Sequence, residues 1–340
     1  MRVLTIGNYE PPHSTENELR DALERIPGVK VEPIQEQDVA QWEWLLSEIR
    51  HSTGIDMILW TSTRSLNAKV PEPVQRGMLM TAFEHEIPTV GYHLDRWWGL
   101  HANKRQEQMF DADGELLPFF GVQYLFTADG GHQQQWADVG VNHIWMPPAV
   151  SERWCYLAQA DKRQAHDIVF VGGWEGYGHT EWTHRVEMVD KVRGWFGDRF
   201  RTLPKSGQPR ITMGDLNVVY ASAKVVIGDS CLVPLPDGSP MTHYCSDRIP
   251  ETLGRGGILL HPSVEGIDDV YANQFVWPLG DWDALHEIID ALLDGYDSDE
   301  YWVAGSARDQ RLMNIDYTKA HNTYTHRMRE VIDIVTGERL

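Results

Sequence analysis

Short apolar runs alternate with amphipathic stretches from the first residues onward. RVLTIG reads as a strand. STENELRDALERI reads as a helix, with Ser14 or Thr15 at its N-cap and acids in its first turn. VKVEPI (strand), VAQWEWLLSEIRH (helix), DMILWTS (strand), PEPVQRGMLMTAFEHE (helix), PTVGYHL (strand) and VQYLFTAD (strand) continue the rhythm. Strands alternating with helices of this length predict a parallel sheet covered on both faces.

The rhythm breaks at MPPAVSERWCYLAQADKRQAH, residues 146–166, where two prolines and a charged stretch predict a linker. It restarts with DIVFVGG (strand), WTHRVEMVDKVRGWF and MGDLNVVYASA (helices) and KVVIGDS (strand). Then come a short helix over 247–255, the strand Ile258-Leu259-Leu260, QFVWP (strand) and DWDALHEIIDALLDG (helix). The predicted fold class is α/β: two doubly wound, Rossmann-like domains over 1–150 and 166–315. The tail reads as two consecutive helices. The last, over 316–340, either covers its own sheet or packs back on the N-terminal domain. Two such domains facing each other leave a cleft between their carboxyl-end loops, where ligands of such sheets bind.

Composition narrows the partners. A formal charge of −20 argues against general nucleic-acid binding, because phosphate backbones demand the opposite sign. It leaves room for a local basic pocket. No apolar run reaches the roughly 18 residues of a membrane span. The short apolar N-terminus lacks a small-residue cleavage site and reads as a strand. Cys155, Cys231 and Cys245 lie far apart without CxxC spacing, which suits a cytoplasmic protein and argues against a disulfide frame or structural zinc.

Several stretches carry candidate chemistry. TIGNYEPPHSTE joins a strand to a helix but lacks the second and third glycines of GxGxxG. It reads either as a structural turn or as a loop facing a phosphate or a hydroxyl. VFVGGWEGYGHTEWTHR places Gly172, Gly173, Gly176 and Gly178 between a strand and a helix, where backbone amides can hold a diphosphate and Arg185 can add a cation. His179 and His184 stand about 140° apart around a helix, so they do not form the shared face of a metal site. Asp111 to Asp113, DAD, lies in a polar stretch between elements. No metal is expected.

His93 and Asp95 follow the strand PTVGYHL. A histidine at a strand's carboxyl end either contacts substrate or bonds its own loop. Of the 14 tryptophans, Trp42, Trp44 and Trp195 suit a core, whereas Trp97 and Trp98 are candidate ligand contacts. In HYCSDRIPETLGRGGILLHP, Arg248 and Glu251 share a helix face just before Gly256 and Gly257. A guanidinium forks onto phosphate and a carboxylate accepts from a vicinal diol.

The stretches YLFTADGGHQQQWADVGVNHIWMPPAV, DIVFVGGWEGYGHTEWTHRVEMV, VYASAKVVIGDS, CSDRIPETLGRGGILLHP and NTYTHRMREVI resemble successive blocks of GT-B glycosyltransferases. The likeness is to the spore-maturation, CgeB-like group, and it spans most of residues 120–335. The resemblance implies a cytoplasmic, metal-independent hexosyl- or pentosyltransferase that uses a UDP- or GDP-sugar and needs no further cofactor. It implies that Arg248 contacts phosphate and Glu251 the ribose, with Gly256 and Gly257 admitting the backbone. Gly172, Gly173, Arg185 and Lys205 complete the diphosphate cradle. His93 falls where retaining relatives place a histidine beside the donor sugar. Many of these relatives carry a glutamate eight positions before the ribose glutamate. Here that position is His243, which leaves retention or inversion open.

The acceptor stays open among protein, glycan, small molecule and modified nucleobase. A nucleotide-sugar epimerase or phosphorylase of the same architecture, and a two-lobed ligand-binding protein, are the alternatives.

Overall fold

The computed structural model describes residues 1–12, 14–51, 54–61, 70–98, 105–173, 183–204, 211–229, 242–296, 298 and 305–337. They divide into two units. Among the described residues the first comprises 1–98, 105–147 and 324–337, and the second comprises 148–323.

In the first unit β1 (Arg2–Gly7), α1 (Thr15–Glu24), β2 (Lys30–Gln35), α2 (Val39–His51), β3 (Met57–Thr61), α3 (Glu72–Glu84) and β4 (Thr89–His93) follow the predicted order. β5 (Tyr124–Thr127), α4 (Gln133–Asp138) and β6 (His143–Trp145) complete its main run. The six strands pair in parallel in the order β2-β1-β3-β4-β5-β6. Ser14 is the N-cap of α1 and accepts from the Asn17 amide. Leu4, Ile6, Trp42, Leu45, Trp60, Phe119 and Trp136 belong to its core.

The second unit holds β7 (His166–Val171), α5 (Thr183–Phe196), β8 (Phe200–Leu203), α6 (Met213–Ser222), β9 (Ala223–Ile227) and α7 (Arg248–Gly254). β10 (Leu259–Pro262), β11 (Phe275–Trp277), α8 (Trp282–Tyr296) and α9 (Ala307–His321) follow. Its parallel sheet runs β11-β10-β9-β7-β8. Strand β7 is apolar on both faces for a reason. Ile168 and Phe170 pack with Met188 and Leu285, while Val169 packs with Val219 and Tyr220.

The last helix, α10 (Tyr324–Thr336), packs against α1 within the first unit. Its buried stripe is Tyr324, Met328, Val331, Ile332 and Val335. The stretch predicted as a linker belongs to the second unit from Pro148 onward, where Asn217 donates to the carbonyls of Trp154 and Tyr156. Among the described residues no helix is long and apolar enough to cross a membrane.

Each sheet reverses its strand order once, between β1 and β3 and between β7 and β9. Crevices outside the carboxyl ends of strands open at such points.

Candidate functional site: a cavity in the second unit

A cavity of about 410 Å³ lies at the carboxyl end of β7, lined by Gly172, Gly173, Arg248, Glu251 and Asp247 on its polar side. Pro204, Ile211, Met213, Leu216 and Tyr220 form an apolar wall. An apolar wall facing one cation and two carboxylates is the arrangement of a specific small-molecule pocket.

Arg248 begins α7 and reaches back over β7. Its Nε donates to the Val171 carbonyl at 3.0 Å. A β-carbon at Gly172 would stand 2.5 Å from Nη2 of Arg248, so the guanidinium lies on bare backbone. Asp229, just beyond β9, is buried. Its Oδ1 lies 3.8 Å from Nη1 of Arg248, and its Oδ2 accepts from Nε of Arg185 at 2.7 Å. Nη1 of Arg185 also donates to the Gly173 carbonyl at 2.8 Å. Both guanidiniums rest against the Phe170 ring.

Arg248, Arg185 and Asp229 form one cluster, and the carboxylates of Asp247 and Glu251 line the same cavity. Arg185 is fully buried, whereas the Arg248 side chain keeps 22% of its exposure. Arg185, expected at a diphosphate, does not line the cavity. Arg185 neutralises Asp229 and supports the Gly173 turn, and Arg248 supplies the accessible cation. His261 lies nearby and stays neutral, because burial pushes its pKa down to about 4.

Glu251 stands one turn after Arg248 and lines the same cavity. The expected side-by-side pair thus shares a pocket, and each member has its own anchor. For Glu251 the anchor is Arg255, whose Nε and Nη2 approach Oε2 at 2.7 and 2.6 Å. Arg255 is fully buried beneath the Trp154 ring.

Gly256 and Gly257, expected to admit a ligand to the backbone, do not line the cavity. Gly256, with φ +74°, ends α7. Its carbonyl accepts from Arg311, and that of Gly257 from Asn314, both on α9. A β-carbon at Gly257 would meet Thr252 at 2.5 Å. These glycines let α7 and α9 close together.

His243 adopts φ +51° and packs its ring on Gly266. It is not among the cavity-lining residues. Lys205, Gly176, Gly178, His179 and Glu181 lie outside the described residues. The His184 ring packs on Trp282 at 4.8 Å. Among the described residues no group of three His, Cys, Asp or Glu side chains is placed to hold a metal ion.

The whole chain can be compared with solved structures on this footing. HepE of Anabaena in complex with UDP matches with a TM-score of 0.59 at 10% identity, over 99% of this chain and 100% of that one. The same protein has been solved with UDP-glucose. A glycosyltransferase from Rickettsia africae matches with a TM-score of 0.59 at 9% identity, over 99% and 98%. A UDP-forming α,α-trehalose-phosphate synthase from Burkholderia xenovorans matches with a TM-score of 0.60 at 9% identity, over 99% and 100%. The fold is that of the GT-B glycosyltransferases. No protein-family model matches the chain, and no curated sequence is significantly similar to it. At these identities the likeness is one of fold.

In the first unit, His93 ends β4 and is buried. Its Nε2 lies 3.8 Å from Oδ2 of the more exposed Asp95, and its ring packs on Trp97 at 5.1 Å and Phe119 at 6.0 Å. Trp97 is a core residue, and Trp98 packs edge-on against Trp136. Trp44, expected in the core, is 44% exposed. Asp129 holds the loop after β4, accepting from the amides of Trp97 and Trp98 at 2.9 Å each. Burial pushes its carboxyl up, and those amides pull the other way.

The turn after β1 is built from its own side chains. Asn17 donates to the carbonyls of Tyr9 and Pro11, and Glu16 fills the space beside Gly7. Asp111, in the DAD stretch, accepts from the amides of Asp113 and Glu115 and pairs with Arg76 at 3.2 Å. It is a turn residue.

Sequence reading missed Asp229, Arg255 and Asn217. Asp229 had a signal, a carboxylate at the carboxyl end of an apolar strand in KVVIGDS. Arg255 had a weaker one, standing four residues after Glu251 on a short helix.

Proposed function

We propose that this chain is a glycosyltransferase that takes its sugar from a nucleoside-diphosphate donor bound in the second-unit cavity. The observation that carries the reading is the pairing of Arg248 over Gly172 with Glu251 in one cavity with an apolar wall. The fold, shared with proteins solved with UDP and UDP-glucose, favours UDP as the nucleotide.

In this reading Arg248 and the backbone at Gly172 and Gly173 receive the diphosphate. Glu251 accepts from the ribose hydroxyls, and the base lies along Met213, Leu216 and Tyr220. Arg248 then stabilises the charge that gathers on the diphosphate as the sugar leaves. We assign the diphosphate's charge to arginine and backbone, without a divalent ion. His93 and Asp95 are the candidates for contact with the reacting sugar. The sequence blocks point to the CgeB-like group within this fold.

The test is release of UDP from UDP-glucose in the presence of EDTA, with and without candidate acceptors. Slow, protein-dependent release that an acceptor accelerates supports the reading. A donor that is bound and returned unchanged under all conditions favours a binding protein.

A further inference from the structure

We infer that Arg255 is a positioning residue that fixes the Glu251 carboxylate for recognition of a ribose diol. This rests on the nucleoside-diphosphate reading of the cavity and assigns a task to a residue that does not line it.

Arg255 caps the carboxyl end of α7, one turn beyond Glu251. Two of its nitrogens, Nε and Nη2, converge on a single oxygen, Oε2 of Glu251, at 2.7 and 2.6 Å. Nη1 turns to α6, donating to the Met213 carbonyl at 2.9 Å and to the Asn217 side-chain oxygen. Met213 lines the cavity, as Glu251 does. One guanidinium therefore ties two walls of the pocket, α7 and the start of α6, at fixed spacing.

The anchor is itself braced. Asn217 is fully buried and donates to the Trp154 and Tyr156 carbonyls at 2.9 and 3.0 Å. The Trp154 ring lies 5.0 Å from the Arg255 guanidinium. Arg255 is fully enclosed, while Glu251 keeps 12% of its side-chain exposure. The cation is held inside and the carboxylate is presented outward.

That asymmetry separates this pair from an ordinary helix-surface i,i+4 pair, in which both members are solvated. Replacing a buried ion pair as a whole by apolar residues is often neutral for the fold, so the pair needs a reason besides stability. The chemistry is consistent with recognition of a diol. A carboxylate has about four acceptor sites, so one anchored by Arg255 at Oε2 can still accept from a ligand hydroxyl. A diol is read well only if the carboxylate plane is held, and a carboxylate on three rotatable bonds needs a partner to hold it.

The test compares binding of UDP and 2′-deoxy-UDP by calorimetry for wild type, Glu251→Gln, Arg255→Met, Arg255→Lys and the double variant Glu251→Gln/Arg255→Met. Melting temperatures are measured alongside. The wild type should prefer the ribose form by about tenfold or more, one good hydrogen bond to a charged group. Arg255→Met should reduce that preference to about twofold or less, as Glu251→Gln does, and the double variant should lose nothing further. Arg255→Lys, which keeps the charge but not the fork, should retain part of it.

If Arg255→Met weakens both nucleotides equally and keeps the preference, Arg255 is only a strut and the inference fails. If Arg255→Met does not fold, Arg255→Lys decides, and a full wild-type preference overturns the inference. A wild type that binds UDP without ribose preference removes this inference and leaves the donor site standing. A wild type that binds no UDP removes both.

Discussion

The guanidinium of Arg248 lies directly on the backbone of Gly172, with Nη2 2.5 Å from where a β-carbon would stand. Cation and glycine turn therefore form one unit, and Asp229 and the Val171 carbonyl hold the arginine there. Gly172→Ala should push Arg248 off this seat. UDP affinity should fall about tenfold, roughly 1.4 kcal/mol, and the melting temperature should fall too, because Gly172 sits at φ +150°, where a side chain is strained. Calorimetry checks it. Unchanged affinity would mean that the seat of Arg248 does not matter to the ligand.

Asp229 is predicted to matter to the fold more than to the ligand. It is the acceptor for Nε of the fully buried Arg185. Asp229→Asn leaves that guanidinium uncompensated and should cost about 3 kcal/mol of unfolding free energy. Urea unfolding measures it. A loss below about 1 kcal/mol would show that the Gly173 carbonyl and the Phe170 ring suffice for Arg185.

His93→Ala should lower turnover by about 10²-fold, the usual scale for a positioned acid, base or polar group. Nucleotide affinity should be nearly unchanged, because the cavity residues all lie in the second unit. Steady-state rates and calorimetry on the same preparation separate the two effects. Equal loss of nucleotide binding would place His93 in the nucleotide site.

Glu36 supplies a test of pH dependence. Burial raises its pKa to about 7, against a hydrogen bond from Trp60 that acts in the opposite direction, and Glu16 adds to the rise. The folded state thus keeps this proton while the unfolded chain, at an ordinary carboxylate pKa, releases it. Protons bound are then fewer in the unfolded state, so stability falls as pH rises from about 4.5 to about 7. Glu36→Gln removes that cost. It should stabilise the protein by up to about 3 kcal/mol at pH 8, with the gain shrinking toward zero near pH 4.5. Melting curves across this range read it directly, and a gain independent of pH would contradict the assignment.

The fold was legible because most strands are short, purely apolar runs between helices with caps, as in RVLTIG followed by Ser14. Besides the short helix α4, what escaped were β6 and β8, His143–Trp145 and Phe200–Leu203. They sit at the sheet edges and are only partly buried, so their pattern is mixed. The site was half legible. Gly172, Arg248 and Glu251 stood out because their residue types match the chemistry of phosphate and diol. Their supports did not. Asp229 and Arg255 are far from, or on the hidden side of, the residues they hold, and burial turns ordinary surface residue types into anchors. Gly256 and Gly257 were ambiguous because a glycine that ends a helix looks in sequence like one that admits a ligand.

The most direct measurement is calorimetric titration of UDP into the wild type and Arg248→Ala. The wild type should bind one UDP per chain, and Arg248→Ala should bind at least tenfold more weakly while keeping its melting temperature. A wild type that gives no saturable binding to UDP, or an Arg248→Ala variant that binds as tightly as the wild type, would contradict the assignment of this cavity to a nucleoside diphosphate.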